Sequence, residues 1–359
     1  IPVTEKIFPE RMKAAGYSTA IFGKWHVGFL PKLAPAKRGF DEWECFFGAC
    51  RRYFPGGWDE VTHNGKKLKS YDYTTYLFTR DAAAFIGNHR HEPWFVYLPF
   101  NAVHSPMDSP PALMKRFKHL PGKRQQFAGM LFAMDEGIGM VLDKVRECGL
   151  EENTLIFFAS DNGGPTGDNT SRNDPLSGFK GQLLEGGIRE PFCVQWKGHL
   201  PAGKVYDQPV STLDIQPTAL AAAGAPVDPK LEGANLLPYL TGEKTGAPHE
   251  LLGWRFGEQR AVRVGDWKLL NMGDGWKLFN LATDIAEKHD LSQQEPARFK
   301  ELQAAFAQWN AKNIPPSWLM HGVLTESGKN HMRKGEAIDN EADDPPRPPQ
   351  PSSNKGKSK

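Results

Sequence analysis

Long hydrophobic runs are missing from this chain of 359 residues. No stretch approaches the roughly 18 consecutive apolar residues of a membrane span, because Asp, Pro or Gly interrupts each run. A surplus of either charge is missing too. The 44 basic side chains face 42 acidic ones, which excludes the broad basic surface of a nucleic-acid binder. Cysteine is scarce and badly spaced for metal or redox work. Cys45, Cys50, Cys148 and Cys193 form no C-x-x-C pair, which excludes a zinc ribbon or a thioredoxin-type motif. They read as scattered small apolar residues, with a Cys45–Cys50 bridge as the alternative. No internal repeat is present. The chain starts at Ile1 and shows no signal-like segment, so the sequence reads as the later part of a longer polypeptide whose targeting region lies outside it.

What is present is an alternation of helices and apolar strands. Pro9 suits the start of a helix through Met12 and Ala15, with Gly16 as its stop. A strand over 18–22 follows and ends at "GKWHVG". The stretch from there to about Gly65 is rich in glycine, proline and aromatics and reads as irregular, and a helix is expected from Tyr73 to about Asn88. "PWFVYLPF" (93–100) and "NTLIFFAS" (153–160) are near-continuous apolar runs, the pattern of strands buried on both faces. Between them, Met130, Leu131, Met134, Ile138, Val141, Leu142 and Val145 keep helical spacing. Another strand is expected at "FCVQW" (192–196), and "STLDIQPTALAAAG" (211–224) reads as a strand end plus a helix. Such alternation predicts an α/β sheet with parallel members, which binds ligands beyond the carboxyl ends of its strands. From about Glu250 the texture changes to short alternating runs, "RAVRVGDWKLL" and "GWKLFNL", read as antiparallel hairpins, and 303–312 adds a helix. Beyond about Pro316 the composition is that of a disordered tail.

Polar residues gather at the predicted strand ends. Lys24 and His26 follow the first strand, and Asn101 and His104 follow "PWFVYLPF". Asp161 and Asn162 follow "NTLIFFAS" and precede two glycines. A hard cation such as calcium takes about six to eight oxygen ligands, so Asp161-Asn162 is either part of a cation site completed elsewhere or a plain turn. His104 suits a general acid near neutral pH and equally a structural hydrogen bonder. Lys180 stands in "GFKGQLLEGGIREP", a loop able to pin a point charge against a ligand. Lys24 and Lys180 on separate loops make a clamp for a tetrahedral anion. "CRRYFPGGWDE" (50–60) reads either as a specificity loop, with Arg51, Arg52, Tyr53 and Trp58 against a sugar, or as a packed surface loop.

In their order, GKWHVG, RGFD (38–41), PFNAVHSP, SDNGGP, FKGQLLEGGIREP and VGDWKLL resemble the type I sulfatases of the alkaline phosphatase superfamily, the arylsulfatase-like enzymes. The resemblance covers most of the chain to about residue 291. It implies an alkaline-phosphatase-like α/β sandwich, with a central mostly parallel sheet between helices and a small C-terminal antiparallel sheet subdomain. Residues 1–249 would be an N-terminally incomplete catalytic domain, 250–315 the small subdomain and 316–359 an extended tail. It implies one calcium ion with Asp161 and Asn162 among its ligands, Lys24 and Lys180 on the sulfate oxygens, and His104 as the acid for the leaving alcohol. His26 would contact a formylglycine nucleophile and help release sulfate. It further implies a sulfated carbohydrate or aryl sulfate substrate, a formylglycine-generating maturation system, and a periplasmic or secreted location.

One departure is sharp. The family's C-x-P-S-R or S-x-P-S-R nucleophile motif is absent, as is its upstream aspartate pair; the four cysteines run into "CFFGA", "CRRYF", "CGLEE" and "CVQWK". This reads as an N-terminally truncated sequence, inactive alone, whose missing strands leave a sheet edge exposed. The alternatives are a phosphodiesterase or phosphonate hydrolase of the same superfamily, and a sulfated-glycan-binding protein without catalysis.

Overall fold

The structure is a computed structural model, and it describes residues 1–56 and 60–315. After helix α1 (Phe8–Ala14), strand β1 (Ser18–Trp25) joins a five-stranded sheet as an inner strand. It is flanked in parallel by β2 (Glu42–Phe47) and β5 (Trp94–Tyr97). The period of two along β1 sorts its side chains between two cores. Ala20 and Phe22 pack with Phe46, Phe78 and Phe85 beneath α2 (Thr74–Asn88), while Ile21 packs with Trp25, Phe40, Trp43 and Cys45 on the other face. With a helix layer on each side, β1 is buried along nearly its whole length, as a central parallel strand must be.

The segment read as irregular contains β2 and a short hairpin. β3 (Thr62–His63) pairs antiparallel with β2, and β4 (Lys66–Lys67) pairs antiparallel with β3 across an Asn64-Gly65 turn. Both turn residues have positive φ, 47° and 83°, as a two-residue turn of this hand requires. RGFD (38–41) proves to be a staple. Buried Arg38 donates to the Ile1 and Glu5 carbonyls (3.0 and 2.8 Å) and to Glu10 (3.2 Å), and Asp41 accepts from the Thr19 backbone (3.1 Å). No disulfide links the four cysteines, so the Cys45–Cys50 bridge does not form.

Helix α3 (Pro111–Arg116) leads into α4 (Gly122–Glu147), which packs on α2. Strand β6 (Ile156–Ala159) then pairs antiparallel with β7 (Phe192–Gln195), and the short helices α5 (Thr166–Asn169) and α6 (Glu185–Ile188) lie between them. Helix α7 (Ile215–Ala222) follows a 3-10 turn at Thr212–Asp214, where a strand end was expected, and α8 is Leu237–Thr241. Among the described residues β5 pairs only with β1 and β6 only with β7. Neither apolar run is therefore buried on both faces: Tyr97 and Phe158 are exposed. Between them opens a cavity of about 2190 Å³, walled by α1, α4 and α7. Its volume exceeds the usual 300 to ~1,000 Å³ of a ligand pocket.

The C-terminal sheet is an antiparallel meander of β8 (Leu252–Phe256), β9 (Gln259–Val264), β10 (Trp267–Asn271) and β11 (Trp276–Asn280). Alternation again divides its faces. Val262, Leu269 and Leu278 pack on Leu302 and Phe306 of α9 (Pro296–Ala311), while Ala261, Leu270 and Phe279 pack on Leu183, Leu184 and Ile188 beside the Lys180 loop.

Candidate active site

Two of the functional loops, those of Lys24 and Asp161, are carried by a backbone that comes unusually close to its neighbour. At the end of β1, a Cβ on Gly23 would lie 2.1 Å from the Pro99 carbonyl oxygen, a contact only glycine avoids. The next amide, Lys24 N–H, donates to that oxygen (2.9 Å), so Lys24 is fixed at the mouth of the sheet. His26 follows, exposed, with its ring edge-on to Phe29.

His104 is held from beneath. The Tyr53 hydroxyl, fully buried and stacked on Tyr73, lies 2.6 Å from the Asn101 carbonyl and 2.9 Å from the His104 carbonyl. The imidazole Nδ1 is 2.6 Å from the Ser105 carbonyl, and Nε2 is 3.1 Å from Lys180 Nζ. A carbonyl only accepts and an ammonium only donates, so Nδ1 carries the proton and Nε2 receives the lysine. Burial pushes His104 below its ordinary 6.5; the Ser105 hydrogen bond opposes this, and the charges of Lys180 and Lys24 add to it.

Lys180 sits between Gly178 and Gly181, both left-handed (φ 89° and 88°). The C-terminal sheet grips this loop: Gln259 of β9 donates to the Gly181 carbonyl (2.8 Å) and accepts from Leu183 N–H (2.9 Å). Five residues on, Glu185 meets Lys268 of β10 at 2.8 Å, and Lys268 meets Glu287 at 2.7 Å, all buried. Glu287 also accepts from Glu185 N–H (2.6 Å). The Asp161 loop is packed on the same turn. A Cβ on Gly163 would lie 1.9 Å from the Gly186 carbonyl oxygen, and Gly163 N–H donates to Gly187 (3.2 Å).

Lys24, His26, His104, Asp161, Asn162 and Lys180 thus all line the one cavity between β5 and β6. Residues 1–225 match the family model "Sulfatase", and residues 179–312 match "N-sulphoglucosamine sulphohydrolase, C-terminal". The chain belongs to the sulfatase family. It is similar to mouse N-acetylgalactosamine-6-sulfatase, 31% identical over 81% of this chain and 60% of the relative, so the chain spans about 60% of that relative's length. It is also similar to the uncharacterized sulfatase YdeN of Escherichia coli K12, 30% identical over 88% of this chain and 68% of the relative. Among solved structures, Ps i-CgsB in complex with k-i-k-neocarrahexaose superposes with a TM-score of 0.84 at 32% identity, covering 94% of this chain and 80% of that one.

In this member of the sulfatase family the mouth of the sheet is a field of opposed charges. Burial lowers Lys24, Asp161 opposes that lowering and Lys180 adds to it. Sequence reading missed Glu190, in "IREP", which lines the same cavity. Its Oε1 is buried with no hydrogen-bond partner, and burial, then the Asp161 charge, push it up to about 7. No spacing rule singles out such a glutamate; only its neighbour does. For a hard cation, the Asp161 carboxylate and the Asn162 amide oxygen fit in kind, with the Asn162 Nδ2 turned to the Gly163 carbonyl (3.2 Å).

The specificity-loop reading is corrected at two positions. Arg51 is buried, donates to the Arg52 carbonyl (2.7 Å) and to the Tyr71 hydroxyl, and stacks over Phe46 and Tyr71. Tyr53 is buried under the His104 loop. Both are consumed by internal packing and cannot meet a sugar. Arg52 is exposed beside Asp108 (3.4 Å), and Trp58 lies outside the described residues.

Proposed function

We propose that the chain is the larger part of a sulfuric ester hydrolase that releases inorganic sulfate from a sulfated carbohydrate or aryl sulfate. The observation that carries this is the convergence of Lys24, Lys180 and His104 on one cavity, with Lys180 Nζ 3.1 Å from His104 Nε2. The two ammonium groups neutralise the sulfate oxygens as charge develops on them. A bound anion also draws Lys180 off Nε2 and favours the protonated imidazole, which then delivers its proton to the leaving oxygen. Asp161 and Asn162 would hold calcium, which supplies further stabilisation of that charge. Two adjacent residues cannot satisfy an ion of about six to eight oxygens, so other ligands join them.

The nucleophile comes from a segment outside residues 1–359, since no cysteine or serine here heads the required motif. The family's formylglycine would supply it after modification by a maturation system, with His26 beside it. In this reading residues 1–249 form the catalytic portion and 250–315 brace the Lys180 loop, and the protein is exported to the periplasm or beyond. Ps i-CgsB, a relative crystallised with an oligosaccharide, supports the carbohydrate over the aryl ester.

The test is sulfate release by an in-frame, extended chain coexpressed with a formylglycine-generating system. Lys180→Ala and His104→Ala are each expected to lose at least ~100-fold in turnover. Near-normal turnover by either variant overturns its assigned role.

A further inference from the structure

On the far side of β1 from β5, a second group of ligating side chains meets, and the proposed reaction does not use it. Glu44 is the middle of β2, His63 faces it across the β2–β3 ladder, and Asp81 comes down from α2. One donor atom from each lies within 4.8 Å of the others. Glu44 is 1% exposed, its Oε1 accepts from no donor, and the group packed against it is the Asp81 carboxyl, so the pair needs either a shared proton or a cation. The other Glu44 oxygen lies 3.4 Å from His63 Nδ1. That is too long for a charge-assisted hydrogen bond, which would be about 2.7–2.9 Å. It is the separation of two donors on one tetrahedral ion, because bonds of about 2.0–2.2 Å at the tetrahedral angle set neighbouring ligands ~3.4 Å apart.

The surrounding charges leave the need unmet. Glu42 adds a third carboxylate, 4.0 Å from His63 Nε2. Arg80, the cation beside the group, is committed to Asp72 through two hydrogen bonds of 2.7 Å.

We propose that Glu44, His63 and Asp81 bind a zinc-class divalent cation that ties the β2–β3 edge to α2. One imidazole and two carboxylates are a set that suits zinc, whereas calcium takes about six to eight oxygens and no imidazole. The His63 side chain, 37% exposed, lies on the solvent side, where water completes the coordination.

The experiment is a titration of the chelator-stripped full chain with cobalt(II) and zinc, read by visible absorption, calorimetry and thermal unfolding. Expected are one equivalent with the intense d–d bands of tetrahedral cobalt, displacement by zinc, and a raised unfolding temperature. Glu44→Gln and His63→Gln should each weaken binding at least ~100-fold, more than the ~10–100-fold typical of residues that only orient a ligand, whereas Asp161→Asn leaves it unchanged. No tetrahedral spectrum in folded wild-type protein overturns the proposal and leaves a proton shared between Glu44 and Asp81. Equal binding by the Glu44 and His63 variants overturns it as well.

Discussion

Lys180 and His104 share a hydrogen bond of 3.1 Å although they repel when both are charged, so the resting imidazole is neutral and protonated on Nδ1. Removing the lysine charge must make protonation easier. In Lys180→Met, NMR titration of His104 should therefore show a midpoint at higher pH than in the wild-type chain; an unchanged or lower midpoint would show that Lys180 does not bear on it. At this scale the sequence exposed part of the site. Lys24, His104 and Asp161 stood out because each follows an apolar run at which a strand has to end. Arg51 and Tyr53 misled because a basic and aromatic composition describes a sugar platform and a buried cation–π cluster equally well. Glu190, Glu44 and His63 gave no signal, since what distinguishes them is a partner far away in sequence.

Among the elements, α4 and the C-terminal meander followed from periodicity, while β1 and α2 form where a strand and a helix were expected. The β3–β4 hairpin escaped because its strands are two residues long, although Asn64-Gly65 is a recognised turn signal. VGDWKLL acquires its meaning only at this level. Its lysine, Lys268, is what joins β10 to the turn after Lys180 through two buried carboxylates. Lys268→Met leaves Glu287 buried without its cation and Glu185 with only the longer contacts to Arg189 and Arg263 (3.7 and 3.8 Å), and should cost ~3–5 kcal/mol in urea unfolding. Adding Glu185→Gln and Glu287→Gln should recover part of that loss. A single variant as stable as the parent would mean that the pairs do not brace the loop.

At the scale of the molecule, the cavity between β5 and β6 has one edge of each strand unpaired among the described residues and apolar walls from α1, α4 and α7. Exposed apolar surface of this extent binds hydrophobic dyes and promotes association. Residues 1–359 alone should give strong anilinonaphthalene sulfonate fluorescence, and an in-frame chain that supplies an extended apolar segment should lose it. Weak fluorescence from both would show that the walls close on each other in solution.

The sequence by itself determined the α/β class, the strand that ends at GKWHVG, the antiparallel C-terminal sheet and the family, because these rest on local patterns and on motifs read in order. Only the tertiary structure decided which strand-end residues share one mouth, that RGFD and VGDWKLL are braces and not chemistry, and that β5 and β6 stand apart. Those outcomes depend on close approaches, Gly23 to Pro99 and Gly163 to Gly186, between segments that a linear pattern has no means to relate.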